Sequence, residues 1–288
     1  MLVTRRGGDL VLVDQNEHGR LAGEFTLRWG NADFAAPTMR EHVRLGTARH
    51  DDGWREADAE PLFNADAARP LHFLEIPLEE HLPLYQRGVD RIYREDAYAG
   101  LLVSMHWTGL YRNRWGMQSG GVGIKPMTTP LDEIREKHVA EEERRWAETK
   151  KSLVKDGIRS DFEARLWYHY DLLQVWDLFS LYVSLADITP ADTPSVPLAG
   201  TLKSIDQAPG PRVIQLVPSR IAGSRVEMRL TPVRPGVVAV DPFPFDGEVT
   251  VSLAARAIPD RAYPDRERVV EALAGARRVD LECRFTKA

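Results

Sequence analysis

His50-Asp51-Asp52-Gly53-Trp54 is the stretch around which the chain is organised. An adjacent His-Asp pair offers an imidazole nitrogen and a carboxylate oxygen side by side. One carboxylate can bridge two metal ions while its neighbouring histidine binds one of them. The competing reading is a helix C-terminus, with His50 capping the last carbonyls and Asp-Asp-Gly making the turn. The placement of the other histidines decides between the two.

Upstream, apolar spacing predicts a helix from Thr38 to His50, with Met39, Val43, Gly46 and Thr47 on the face that carries His50 and His42 elsewhere on the wheel. An earlier helix is expected from an Asn16 N-cap to about Gly30. Its apolar line, Leu21, Ala22, Phe25 and Trp29, is continued by His18, so His18 faces inward. Downstream, residues 52–70 read as a loop anchored by Trp54 and Phe63, and His72 as a surface or neighbouring residue rather than a ligand. A third helix, Pro77 to Tyr93, carries the stripe His81, Leu84, Tyr85, Gly88 and Ile92. A fourth, Asp96 to Tyr111, carries Tyr98, Leu101, Leu102, Met105 and His106. The charged helix from Leu131 to Lys155 is a solvated face. The helix from Asp161 to Asp187 places Asp177 in line with Leu166, Tyr170, Leu173 and Leu181. A lone carboxylate in such company is costly unless it is paired or bound to metal; the alternative is a boundary position facing water.

The flanks differ. Met1 to Asp14 reads as a β-hairpin turning at Gly7-Gly8-Asp9. Near Thr189 helical periodicity stops and prolines accumulate; strands are then expected at 212–217, 225–233, 236–240, 248–255 and 278–285, with a helix at 266–275. The expected class is α+β: residues 1–188 form a multi-helix domain with an N-terminal hairpin, and residues 189–288 form a β-rich region packed on it. Arg112 to Pro130 is a Gly-rich loop that carries Arg112, Arg114 and Lys125; its Gly120-Gly121-Val122-Gly123 run does not match a phosphate-loop pattern, and an ordinary surface loop is preferred over a lid.

Composition narrows the function. A net charge of −5 argues against general nucleic-acid binding, and Cys283, the single cysteine, excludes a disulfide framework and a cysteine zinc site. No apolar run reaches about 18 residues and no signal-peptide core is present, so no membrane association is expected and the expected location is the cytoplasm. A homo-oligomer is compatible with the sequence.

One inward histidine is most simply a hydrogen-bonded core residue. Inward histidines on successive helices, followed by an inward aspartate, point to one shared site, as in metal centres of helical bundles. In their order these residues resemble the HD superfamily, helical metalloenzymes marked by His, then His-Asp, then a distant Asp. Two-metal members insert two more histidines before the final Asp. His18, His50, Asp51 and Asp177 match the basic pattern, and His81 and His106 match the added pair. The resemblance covers about Gln15 to Asp187. Trp54 departs from it, since many members carry Lys or His there, which bears on substrate contacts. The chain also resembles an uncharacterised bacterial family of unknown function, through His50-Asp51-Asp52-Gly53-Trp54 and Ser104-Met105-His106.

The resemblance implies one or two divalent ions, iron, manganese or zinc, with His18, His50, Asp51 and Asp177 on the first and Asp51 bridging to a second held by His81 and His106. Two carboxylates and four neutral imidazoles leave two divalent ions with net positive charge, suited to a small anionic substrate and to activating water. The implied activity is that of a phosphohydrolase with Asp51 at its catalytic centre; by their position in the Gly-rich loop, Arg112, Arg114 and Lys125 are the candidates to contact phosphate. Two alternatives stay open: a diiron oxygenase resembling myo-inositol oxygenase, and a non-catalytic metal-binding protein.

Overall fold

Alternating apolar residues fold Leu2–Arg6 (β1) and Asp9–Val13 (β2) into the expected hairpin, turned by Gly7 and Gly8, both at positive φ. The computed structural model describes residues 1–112, 114, 130–154 and 157–288. After the hairpin come Gln15–Arg28 (α1) and Arg40–Ala48 (α2), then a 3₁₀ turn at Asp52–Trp54, and Arg55–Ala59 (α3). A short ribbon, Phe63–Asn64 (β3) and Arg69–Pro70 (β4), leads to Leu78–Glu95 (α4), Ala97–Tyr111 (α5), Pro130–Val154 (α6) and Arg159–Leu185 (α7). The expected helices are present within a few residues. The cap of α1 is a correction: Asp14, not Asn16, is its N-cap residue, and the Asp14 carboxylate pairs with Arg256 at 2.5 Å instead of with the helix amides.

The β-rich region comprises Val196–Pro197 (β5), Leu198–Thr201 (α8), Arg212–Pro218 (β6), Arg225–Arg234 (β7), Val237–Asp241 (β8), Val249–Pro259 (β9), Arg266–Ala274 (α9) and Arg277–Lys287 (β10). Its strands join the N-terminal hairpin in one curled sheet ordered β1-β2-β9-β10-β8-β7-β6-β5. β2 pairs antiparallel with β9, setting Leu10 opposite Ile258 and Leu12 opposite Arg256. β8 with β10 and β5 with β6 run parallel, and the other neighbours antiparallel. The class is therefore α+β, with helices gathered against a largely antiparallel sheet.

Strand β9 shows why the sheet holds those helices. Val249, Val251, Leu253, Ala255 and Ala257 are buried while Thr250, Ser252 and Ala254 between them are exposed, the period-two pattern of a half-buried strand. Against that face α1 and α7 contribute Phe25 and Phe179, whose rings lie 5.4 Å apart, and Phe285 of β10 lies 5.4 Å from Phe179. Helices α5 and α7 are apolar nearly all round and run through the interior. No helix among the described residues is long and apolar enough to cross a membrane.

His72 differs from its expected place. It is fully buried: its Nδ1 accepts the Val3 amide at 3.1 Å, and its Nε2 donates to the Leu202 carbonyl at 2.9 Å. It ties β1 to the segment after α8. His42 pairs at 2.5 Å with Asp96 on the surface, as its off-face position predicts.

Candidate metal centre

Glycines let the site helices meet. A Cβ on Gly19 would lie 2.8 Å from the Ala48 carbonyl oxygen, and one on Gly23 would lie 2.5 Å from the Ala48 side chain. The bare glycine face of α1 therefore packs directly on the end of α2. That contact brings His18 to His50, with their Nε2 atoms 3.3 Å apart.

Around these two nitrogens gather the carboxylates. Asp177 Oδ1 lies 3.1 Å from His18 Nε2 and 3.6 Å from His50 Nε2. Asp51 Oδ2 lies 3.6 Å from His50 Nε2 and 4.0 Å from His18 Nε2. His106 joins from α5: one donor atom each from His50, His106 and Asp177 lie within 4.8 Å of one another. All of these side chains are buried.

Hydrogen bonds behind the rings set their direction. The Thr47 carbonyl accepts from His50 Nδ1 at 2.7 Å, which turns Nε2 toward the carboxylates. Ser180 of α7 holds His18 Nδ1 at 2.6 Å and also donates to the Asp177 carbonyl at 2.9 Å. Ser180 thus fixes the His18 ring with Nε2 turned toward the cluster.

Burial disfavours charge on His50, but Asp51 and Asp177 outweigh it and raise its pKa to about 9. Burial also acts to raise the Asp177 pKa, yet the bonds from His18 and His50 hold it well below the usual carboxylate range. Two buried carboxylates thus demand a cation among them, and without metal a proton on His50 answers part of that demand. Burial, aided by His50, lowers His106 to about 4, so it is a neutral donor at pH 7.

These residues fit a divalent ion. For ligands about 2.1 Å from an ion, adjacent donors lie roughly 3 Å apart and opposite ones roughly 4.2 Å, the range spanned here. His106 Nδ1 is buried with no hydrogen-bond partner, an orphan that metal chemistry would explain. Imidazole and carboxylate together suit iron, manganese or zinc.

His81 is close but placed differently. Its Nδ1 is bonded to the Tyr111 hydroxyl, its ring lies edge-on to Tyr85 at 4.6 Å between centroids, and burial lowers its pKa to about 4. It is in neither of the two donor groups formed by His18, His50, Asp51, His106 and Asp177 among the described residues. Arg112 pairs with Glu136 at 2.5 Å and Glu143 at 3.0 Å on α6. Arg114 lies 3.7 Å from Glu143, with its guanidinium over Trp146. Lys125 lies outside the described residues, as does most of its Gly-rich loop.

Asp52, next to the centre in sequence, points away from it. Its carboxylate is fully buried and meets Arg55 at 2.7 Å, Arg49 at 3.1 Å and Arg91 at 3.5 Å. It clamps the turn that presents Asp51. Sequence reasoning did not assign roles to Tyr85, Ser180 or Thr47. Tyr85 already lay on the His81 stripe, which was a usable signal; Ser180, three residues after Asp177, gave a weaker one.

No curated protein and no solved structure matches the chain. A family model does, over residues 1–260. With nearly the whole chain matched, from the N-terminal hairpin through the metal-type cluster and into the sheet, the protein belongs to the family described as Protein of unknown function (DUF3891).

Proposed function

We propose that this chain is an HD-like metal-dependent hydrolase acting on a small phosphate ester. The observation that carries the reading is that His18 Nε2 and His50 Nε2, 3.3 Å apart, each lie 3.1–4.0 Å from Asp51 Oδ2 and Asp177 Oδ1, with His106 grouped with His50 and Asp177. These donors come in the order His, His-Asp, Asp of the superfamily that the sequence resembles. A bound divalent ion supplies positive charge that attracts an anionic ester and acidifies water.

The chain's own residues do the rest. Thr47 and Ser180 fix the two histidine rings, so the donors are held before an ion arrives. His50 gives up its proton on loading, which makes ion binding tighter as pH rises. We assign proton transfer to His81, which is buried and neutral and has Asp51 as an electrostatic neighbour. Arg114 is the described cation that the proposal assigns to phosphate.

The test is metal analysis on protein purified without chelator or metal-affinity tag, followed by assays on aryl phosphates and nucleotides with manganese or iron. Hydrolysis that is equal with and without oxygen is expected. Turnover that needs oxygen and reduced iron would replace this reading with an oxygenase, and protein that takes up no metal would remove it.

A further inference from the structure

The two oxygens of Asp51 have different partners. Oδ2 faces His50 and His18 at 3.6 and 4.0 Å. Oδ1 accepts a hydrogen bond from the Tyr85 hydroxyl at 2.6 Å. Tyr85 is buried, and its hydroxyl is the donor to that oxygen. Its ring is fixed by neighbours on both sides. Trp107 stacks on it almost parallel, at 8° and 6.3 Å, and His81 meets it edge-on.

A carboxylate spans two ions most readily when each oxygen faces one, and an oxygen that already accepts a strong hydrogen bond is the poorer second ligand. Here one oxygen is engaged by a phenol that a packed aromatic wall holds in place. The histidines that a second ion would need are also separated. His106 groups with His50 and Asp177, while His81 is in neither donor group among the described residues.

We propose that Tyr85 restricts this centre to a single ion by holding Asp51 as a one-oxygen ligand. The inference rests on the metal-centre reading above and adds to it a nuclearity and the residue that sets it. Tyr85 is a positioning residue: it acts through Asp51. A one-ion centre suits water activation and does not support chemistry that needs two coupled irons.

The experiment is titration of metal-free full-length protein with manganese(II), read by bound-ion stoichiometry and by electron paramagnetic resonance. Wild type should saturate at one ion per chain with an uncoupled manganese signal. Tyr85→Phe should bind manganese about 10–100-fold more weakly, the usual cost of removing a hydrogen bond to a ligand, and its signal should change as the Asp51 binding mode changes. Tyr98→Phe is the matched control. It also loses a buried phenol bond, to His169 at 2.7 Å, but away from Asp51, and should keep wild-type affinity and signal.

Two ions per chain in wild type, or an exchange-coupled signal, would overturn the proposal and leave the metal-centre reading standing. One ion with unchanged affinity and signal in Tyr85→Phe would overturn the role of Tyr85 alone. No bound ion in wild type would overturn both. If Tyr85→Phe fails to fold, the wild-type stoichiometry and signal still decide the nuclearity.

Discussion

Gly88 of α4 lies so close to Gly53 that a Cβ on Gly88 would stand 2.5 Å from the Gly53 amide nitrogen. The obstacle is backbone, which cannot swing aside. Gly88→Ala must therefore push α4 away from the turn that presents Asp51, and Tyr85 and His81 move with it. A loss of about 1–3 kcal/mol is expected, typical of overpacking, together with weaker metal binding. Thermal unfolding and metal content measure both. Gly200→Ala, where a Cβ meets nothing within 4 Å, should leave both unchanged.

Asp51 and Asp52 are neighbours with separate duties, and the two asparagine variants should divide accordingly. Asp51→Asn replaces a carboxylate that faces the site with an amide and should empty the centre of metal while the helices stay folded. Asp52→Asn leaves Arg49, Arg55 and Arg91 around an uncharged group and should cost about 2 kcal/mol while metal content is kept. Equal metal content in the two variants would contradict this division.

Ser180 tests how far the second layer of hydrogen bonds matters. Ser180→Ala removes the group that holds His18 Nδ1, and a loss of roughly 10–100-fold in metal affinity is expected without loss of fold. Competition with a chelator of known strength reads the affinity, and circular dichroism reads the fold.

Two buried histidines outside the centre set a pH dependence. Burial, only partly offset by the Leu202 carbonyl, lowers His72 to about 4; burial, with Arg165 adding, lowers His169 to about 3. The unfolded chain takes up these protons near pH 6.5 and the folded chain does not. Stability is therefore fully present above pH 6.5 and falls as the solution is acidified toward pH 4, by about 3 kcal/mol for His72 alone. Urea unfolding of metal-free protein at pH 7 and pH 5 measures the slope. Proton resonances of both rings should show no titration above pH 5; a midpoint near 6.5 for either ring would refute its assignment as a buried neutral group.

The helices and their inward donors were legible in the sequence because their evidence is local. His18 continues the line of Phe25 and Trp29, and Asp177 shares a face with Leu173 and Leu181, so spacing alone turns them inward. The strands of the C-terminal region were legible for the same reason. Relations across the chain were not. Nothing local in Leu10 says that it pairs with Ile258, and nothing local in His72 says that Val3 and Leu202 close over it. The Asn16 cap failed because the helix already begins at Gln15, with Asp14 as its N-cap residue. Tyr85 could be placed on the His81 stripe, but which Asp51 oxygen it meets is a matter of ångströms rather than of spacing.

The pairing of β2 with β9 also shapes how the protein comes into being. During synthesis the hairpin emerges long before β9, the strand that covers its edge. Until then β2 offers unpaired amides and carbonyls, a template for aggregation. Closing that contact spans almost the entire chain, which makes folding slow. The helices that carry His18 and Asp177 complete their packing only when β9 and β10 arrive beneath Phe25 and Phe179. Assembly of the centre thus waits on β9 and β10, so a nascent chain should gain its ion-binding capacity in one step once both have emerged.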